Sequence, residues 1–454
     1  MEGFKRRGMV EMLPSDPIKK VLFIAYNFPP AGGAGVIRSV KYCKFLPRFF
    51  WIPVVLTVKN PRVFEKDRTL AKDIPESVLV YRTAALQLPA KIYDKKPRAA
   101  EKHSETGFFK KIKKNLFKVF KQLSYACFCI DEHVGWIPFA LFRGWRIIKA
   151  DAQIKCIYVS VKPFSAVITG LALKKLTGKP LVIDFRDAWT AFTPYFWLDK
   201  PEYFRKFEAL LEKRAVINSD LIISVSEKII VDFQTTYSML PKSRFICIPN
   251  GFDQEDFNSL PPAAASDKFI ITYAGSLYAK RSPESFFSAL KEIFAQEPQL
   301  REKIRFRYVG YNNSSSGYLL DDPDLKDIIE ITGMLPYREC LLKMKESNLL
   351  LLIEDRVAVS DRIMTSKIYE YLASQKPILA LAKEGPIKEL IGKTHSGMTF
   401  DHEDINGIAN AIRYFLQNDY REDIPTGFKD SMNAYSRETA GKKLSEAFNA
   451  LNAQ

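Results

Sequence analysis

Short apolar, β-rich runs recur along this chain with helical patterns between them, and that alternation limits the fold more than any other feature. The first series occupies residues 21–26, 52–57, 78–82, 156–160, 181–185, 221–225 and 245–249. It stops at residues 258–266, a proline-bearing stretch of small side chains. A second series covers 269–275, 304–309, 328–332, 349–353, 377–382 and 398–400. Short buried strands alternating with helices build parallel sheets clad by helices on both faces. The expectation is an α/β chain of two Rossmann-like, doubly wound domains, 1–260 and 261–430, facing each other across a cleft. Ligands of open sheets bind at the strand C-terminal edges that line such a cleft. A last helical segment within 431–454 is expected to return and brace the first domain.

The first run is followed by Phe28-Pro-Pro-Ala-Gly-Gly-Ala-Gly-Val-Ile-Arg38 and then by helical spacing. Gly32, Gly33 and Gly35 would let backbone N–H groups approach a phosphate, because no Cβ stands in the way and a helix N-terminus offers unpaired donors. The alternative is a plain βα turn. The dinucleotide fingerprint fails because Arg38 takes its sixth position, and no Gly-Lys-Ser/Thr follows for a Walker loop. Arg38 stands one helical turn past the glycines, either in reach of a phosphate or carboxylate or as a solvated helix residue.

A net charge of +16 over 454 residues asks for a polyanionic partner or surface. The excess concentrates in a basic insertion at about 91–125. Within it, Phe108 to Leu123 place Phe109, Ile112, Leu116, Phe120 and Leu123 at helical spacing among lysines. Such a helix suits an anionic membrane surface, or else packs on the domain with a lysine-rich solvent face. Six scattered cysteines without C-x-x-C spacing, and few histidines, point to neither metal ligation nor a disulfide framework. No run reaches the length of a spanning helix. The expectation is a cytoplasmic protein, peripheral on the inner face of the membrane. Nucleic acid is set aside, since the charge sits on one amphipathic segment and not on a recognisable binding module.

Candidate chemistry lies in the second half. Tyr273-Ala-Gly275-Ser276-Leu-Tyr-Ala-Lys280-Arg281 ends a strand with a glycine and then presents two cations. Cations there would stabilise a diphosphate leaving group as it gains charge, or form an ordinary charged loop. Gly310, and Met334 with Leu335, follow later strand ends, where backbone groups can hold a base. In Ser366-Lys367-Ile368-Tyr-Glu370-Tyr-Leu, Glu370 either faces the cleft as an acceptor for ribose hydroxyls or is a surface glutamate. Asp184-Phe-Arg186-Asp187 ends a strand of the first series; Asp187 can orient a sugar hydroxyl or take the acceptor proton, and Arg186 can hold Asp187 or an acceptor phosphate. Alternatively these three form a structural ion-pair network.

The order of these pieces, together with Ile248-Pro-Asn-Gly-Phe-Asp253, resembles family 4 glycosyltransferases of the GT-B fold from Lys20 to the last helix. The resemblance implies a retaining transferase that moves a sugar from a nucleotide-diphosphate sugar to a glycan or lipid-linked acceptor in surface-polysaccharide synthesis. It implies no bound metal and no covalent cofactor. The donor-binding set would be Gly32, Gly33, Gly275, Ser276, Lys280, Arg281, Gly310, Met334, Leu335, Lys367, Ile368 and Glu370. Asp187, Arg281 and Glu370 would be catalytic, with Gly35, Arg38 and Arg186 on the acceptor or phosphate side. The chain departs from the family pattern in three places. Ser276 stands where an arginine is usual, and Arg362, beside Asp361, stands where the first of two paired glutamates is usual. Arg186-Asp187 occupies the region where a histidine often ends a strand. These departures keep open a second reading, a catalytically impaired GT-B binding or scaffold subunit of a glycan-assembly complex.

Overall fold

The computed structural model describes residues 18–61, 66–86, 130–190, 202–278, 280–311, 317–357, 360, 364–418 and 432–453. The amphipathic segment from Phe108 to Leu123, and Asp361 with Arg362, lie outside the described residues.

Every apolar run of the two series forms a strand. The first sheet comprises β1 (Lys19–Ile24), β2 (Trp51–Val58), β3 (Leu79–Thr83), β4 (Ile154–Val161), β5 (Leu181–Phe185), β6 (Leu221–Ser224) and β7 (Phe245–Cys247). The second comprises β8 (Phe269–Ala274), β9 (Ile304–Val309), β10 (Ile329–Gly333), β11 (Leu349–Ile353), β12 (Ile378–Leu381) and β13 (Gly397–Phe400). The orders are β3-β2-β1-β4-β5-β6-β7 and β10-β9-β8-β11-β12-β13, and the pairings between neighbouring strands are parallel. In both sheets the direction of winding reverses beside the first strand. That switch point leaves a crevice outside the carboxyl ends of β1 and β4, and of β8 and β11.

Helix α1 (Ala34–Phe45) covers one face of the first sheet, in an apolar cluster that holds Val36, Val40 and Val21. The opposite face carries α2 (Ile137–Ala150), α3 (Ala166–Thr177) and α4 (Glu202–Asn218), which contribute Ala140, Leu173 and Ala215 to a separate cluster. In the second domain the helices that matter here are α5 (Tyr337–Lys345) and α6 (Lys367–Ala373). The chain then returns: α7 (Arg437–Asn452) packs Ala440, Leu444 and Phe448 with residues of α1 and β1. Among the described residues no helix is long and apolar enough to cross a membrane.

Candidate active site

The second domain builds its half of the site from β8 and α6. Gly275 follows β8 with its N–H bonded to the Val309 carbonyl at 2.7 Å, and its φ of +136° is one that L side chains rarely adopt. Lys367, the first residue of α6, lies across it, so that a Cβ on Gly275 would sit 1.8 Å from the lysine Nζ. The Nζ is 3.3 Å from the Tyr273 hydroxyl and 4.7 Å from its ring centroid. Burial pushes the Lys367 ammonium down to about 7, and the like charge of Arg281 adds to the effect. Arg281 is drawn to Asp355 at 2.8 Å, and Tyr278 donates to the other carboxylate oxygen at 2.6 Å. Burial opposes the Arg281 charge, but Tyr273 and Asp355 more than offset it. The buried Arg281 Nε has no partner among the described residues.

One turn along α6, Glu370 is 5% exposed. Burial lifts its carboxyl to about 7, against the pull of Arg437. Arg437 comes from the start of α7: its N–H donates to the Phe252 carbonyl at 2.7 Å and its Nη1 to Asn250 at 3.4 Å, while its buried Nη2 has no partner among the described residues. The Lys-Ile-Tyr-Glu-Tyr pattern divides by face. Tyr371 accepts from the Ala274 N–H and donates to the Leu351 carbonyl, which bolts α6 to the sheet, with Lys367 lying over Gly275 and Glu370 near Arg437. The Ile368 side chain is fully buried in the apolar core.

The other expected donor residues surround the same strand ends. Ser276 is exposed, and its carbonyl accepts from Tyr273. The Lys280 carbonyl accepts from Arg356 N–H at 2.8 Å. Gly310 N–H is bonded to Gly333, and 42%-exposed Met334 with half-buried Leu335 leads from β10 toward α5. Gly275→Ala is expected to displace the Lys367 side chain and strain the turn. Isothermal titration with nucleotide sugars should then show a loss of roughly tenfold or more in affinity for a cost of about 1–3 kcal/mol.

In the first domain Gly32 and Gly33 lead into α1, with Gly33 as its cap at φ 93°. Gly35 lies under Arg186, whose Nη1 would be 1.3 Å from any Cβ there. Arg186 Nε donates to the Val161 carbonyl at 2.5 Å and Nη2 to Lys162 at 3.3 Å. Asp187, with its side chain 49% exposed, pairs with Lys162 at 2.9 Å. Burial works against the Asp187 charge, but Lys162 more than offsets it and holds the carboxyl below its ordinary value.

Arg38 does not reach the cleft as a phosphate ligand. It is 1% exposed, and its guanidinium bonds run to both oxygens of Asp184, to Asn250 and to the carbonyls of Ile248 and Pro249. The Tyr158 hydroxyl donates to Asp184 at 2.5 Å. Arg38 is therefore an anchor that ties α1 to β5 and to the segment leaving β7. Two further cations on the same face of α1 continue this grip. Lys41 lies 2.6, 2.7 and 2.6 Å from Asp73, Asp253 and Asp256, and Lys44 pairs with Asp253 at 2.5 Å. The three carboxylates lie close enough together to suit a cation, and the Lys41 ammonium already supplies one. Sequence reasoning missed Asn250, Asp355 and Arg437, whose roles arise from pairings distant in sequence.

Two parallel sheets wound about facing switch points, with paired cations at one strand end and a buried glutamate a turn away, define a GT-B glycosyltransferase. Residues 99–256 match the model of Glycosyltransferase Family 4, and residues 268–418 match that of Glycosyl transferases group 1. The chain belongs to the family 4 glycosyltransferases. No curated protein matches it. Solved structures share the fold at low identity. Anabaena Alr3699/HepE in complex with UDP-glucose is 13% identical with a TM-score of 0.62, over 95% of this chain and 99% of that one. A glycosyltransferase from Rickettsia africae ESF-5 is 14% identical with a TM-score of 0.60, over 95% and 98%. WaaG, a glycosyltransferase involved in lipopolysaccharide biosynthesis, is 14% identical with a TM-score of 0.58, over 94% and 99%.

Proposed function

We propose that this glycosyltransferase moves a sugar, with retention of anomeric configuration, from a nucleotide-diphosphate sugar to a glycan or lipid-linked acceptor in the building of a surface glycan. The observation that carries the reading is the convergence of Lys367 and Arg281 at the end of β8. Asp355 takes one edge of Arg281 and leaves its buried Nε without a partner among the described residues, so that Nε and the Lys367 ammonium favour an anion beside them. A diphosphate suits that place, and its charge grows as the glycosidic bond breaks, so cations already in position stabilise the transition state more than the ground state. Glu370, one turn away, accepts from the ribose hydroxyls. Across the cleft, ionised Asp187 accepts a hydrogen bond from an acceptor or sugar hydroxyl, with Arg186 fixed above Gly35 beside it. Residues 1–260 act as the acceptor side and 261–430 as the donor side.

The experiment is a thermal-shift series over UDP-, GDP-, ADP- and CMP-linked sugars, followed by NMR of the anomeric proton in the product. Stabilisation by one donor and an α-linked product from an α-linked donor are expected. No stabilisation by any donor leaves the scaffold reading in its place, and an inverted product removes retention.

Donor affinity should also depend on pH in a bell shape centred near 7. Above about 7 the free enzyme's Lys367 is neutral and must take up a proton to meet the diphosphate. Below about 7 Glu370 is protonated and must release one to accept from ribose. Each limb approaches tenfold in Kd per pH unit for one linked proton. A flat Kd between pH 6 and 8, measured by titration calorimetry in buffers of differing ionisation enthalpy, would show that neither group meets the donor.

A further inference from the structure

We infer that the outer face of the α2–α3–α4 layer is a surface that docks on an anionic lipid bilayer. This deepens the lipid-linked part of the proposed function, rests on that reading, and assigns the contact to helices outside the amphipathic insertion. The three helices lie side by side, α2 against α3 and α3 against α4, and bury their inner faces in one apolar cluster under the first sheet. Their outer faces carry side chains that a solvated helix rarely keeps. On α2, Phe142 is 61% exposed and Trp145 39%, one turn apart. On α4, Tyr203, Phe207, Leu210 and Ile217 are all exposed and fall at i, i+4, i+7 and i+14, which places them on one side of the helix, with exposed Arg214 between the last two. The inner side of α4 is accounted for separately by Glu208, Glu212, Ala215 and Val216, all buried.

Charge distinguishes a bilayer from a protein partner. Neither α2 nor α3 contains an aspartate or glutamate. Exposed Arg146 and Lys149 follow the aromatics of α2, while on α4 exposed Lys213 stands beside the apolar side chains and exposed Lys206 is paired with Glu202 at 3.0 Å. Aromatic rings among cations, on a helical face with few acids, match the headgroup boundary: the rings settle at the interface while long basic side chains reach the phosphates. Exposed apolar side chains gathered on the outward side of a helix mark an interaction site.

The test is flotation of the full chain with pure phosphatidylcholine vesicles and with mixed phosphatidylcholine–phosphatidylglycerol vesicles. Three proteins are compared: wild type, W145S/F207S/L210S, and a variant with Lys110, Lys111, Lys113 and Lys114 changed to Gln. Wild type should float with the mixed vesicles only, and less so in high salt. W145S/F207S/L210S should lose binding by roughly tenfold or more, with unchanged melting temperature and donor-induced shift, since its sites are exposed and lie on helices of the first domain. If wild type fails to float, the membrane reading falls as a whole. If wild type floats and W145S/F207S/L210S floats equally, this surface is wrong while the membrane reading stands on the 108–123 segment. Loss of a dimer by the triple variant on gel filtration, with lipid binding intact, would make the face a contact between copies and overturn the assignment.

Discussion

Lys367→Met should abolish the donor-induced thermal shift while the ligand-free protein melts no lower than wild type. The two effects have one cause. The Lys367 ammonium is held at about 7 because its surroundings disfavour the charge, so an apolar side chain of similar length relieves the free protein of that desolvation. With a diphosphate present the same charge becomes an asset, and a charge-assisted hydrogen bond at this depth contributes about 2–3 kcal/mol. The expected loss is roughly 30- to 150-fold in Kd for the nucleotide sugar. A variant that melts well below wild type and still binds donor would make Lys367 a structural residue and detach the diphosphate from β8.

Arg38→Met should behave in the opposite way, with a large loss of stability and little change in donor affinity among the molecules that remain folded. Removing the guanidinium leaves fully buried Asp184 with the Tyr158 hydroxyl as its hydrogen-bond partner among the described residues, and also strips two backbone carbonyls of this donor. Breaking one side of a buried pair costs about 3–5 kcal/mol. Urea titration would show the midpoint falling at constant slope. A variant of normal stability that no longer bound donor would return Arg38 to the phosphate role its position after the glycine turn suggests.

The contrast between these two residues shows where sequence reasoning works in this chain. Strands such as β5 and β11 are apolar throughout and bounded by turn residues, so local composition marks them. Lys367 and Glu370 stood out as candidates because they share one short motif, and the structure places that motif on a single buried helix turn. Arg38 offered no such constraint. Its partner Asp184 is 146 positions away, and helical spacing alone does not say whether an arginine one turn beyond a glycine loop points to the cleft or to the next strand. Arg437 was hidden for the same reason, since its neighbour Glu370 is brought close only by the return of the last helix to the first domain. The exposed aromatics of α2 and α4 were not legible, because sequence alone does not say which side of each helix the sheet covers.

The chain passes between the domains twice, and the two passages are stitched together. Phe252 N–H bonds to the Tyr435 carbonyl at 3.1 Å, Arg437 N–H returns the bond to the Phe252 carbonyl at 2.7 Å, and the segments form a parallel bridge at Phe252 and Ser436. A joint made of two ribbons fastened edge to edge behaves like the leaf of a door. It folds readily about the line across both ribbons, whereas twisting shears the bonds between them. One consequence is kinematic: the domains should approach along a single arc, so that one pair of fluorophores placed across the cleft suffices to report how far the jaws have shut.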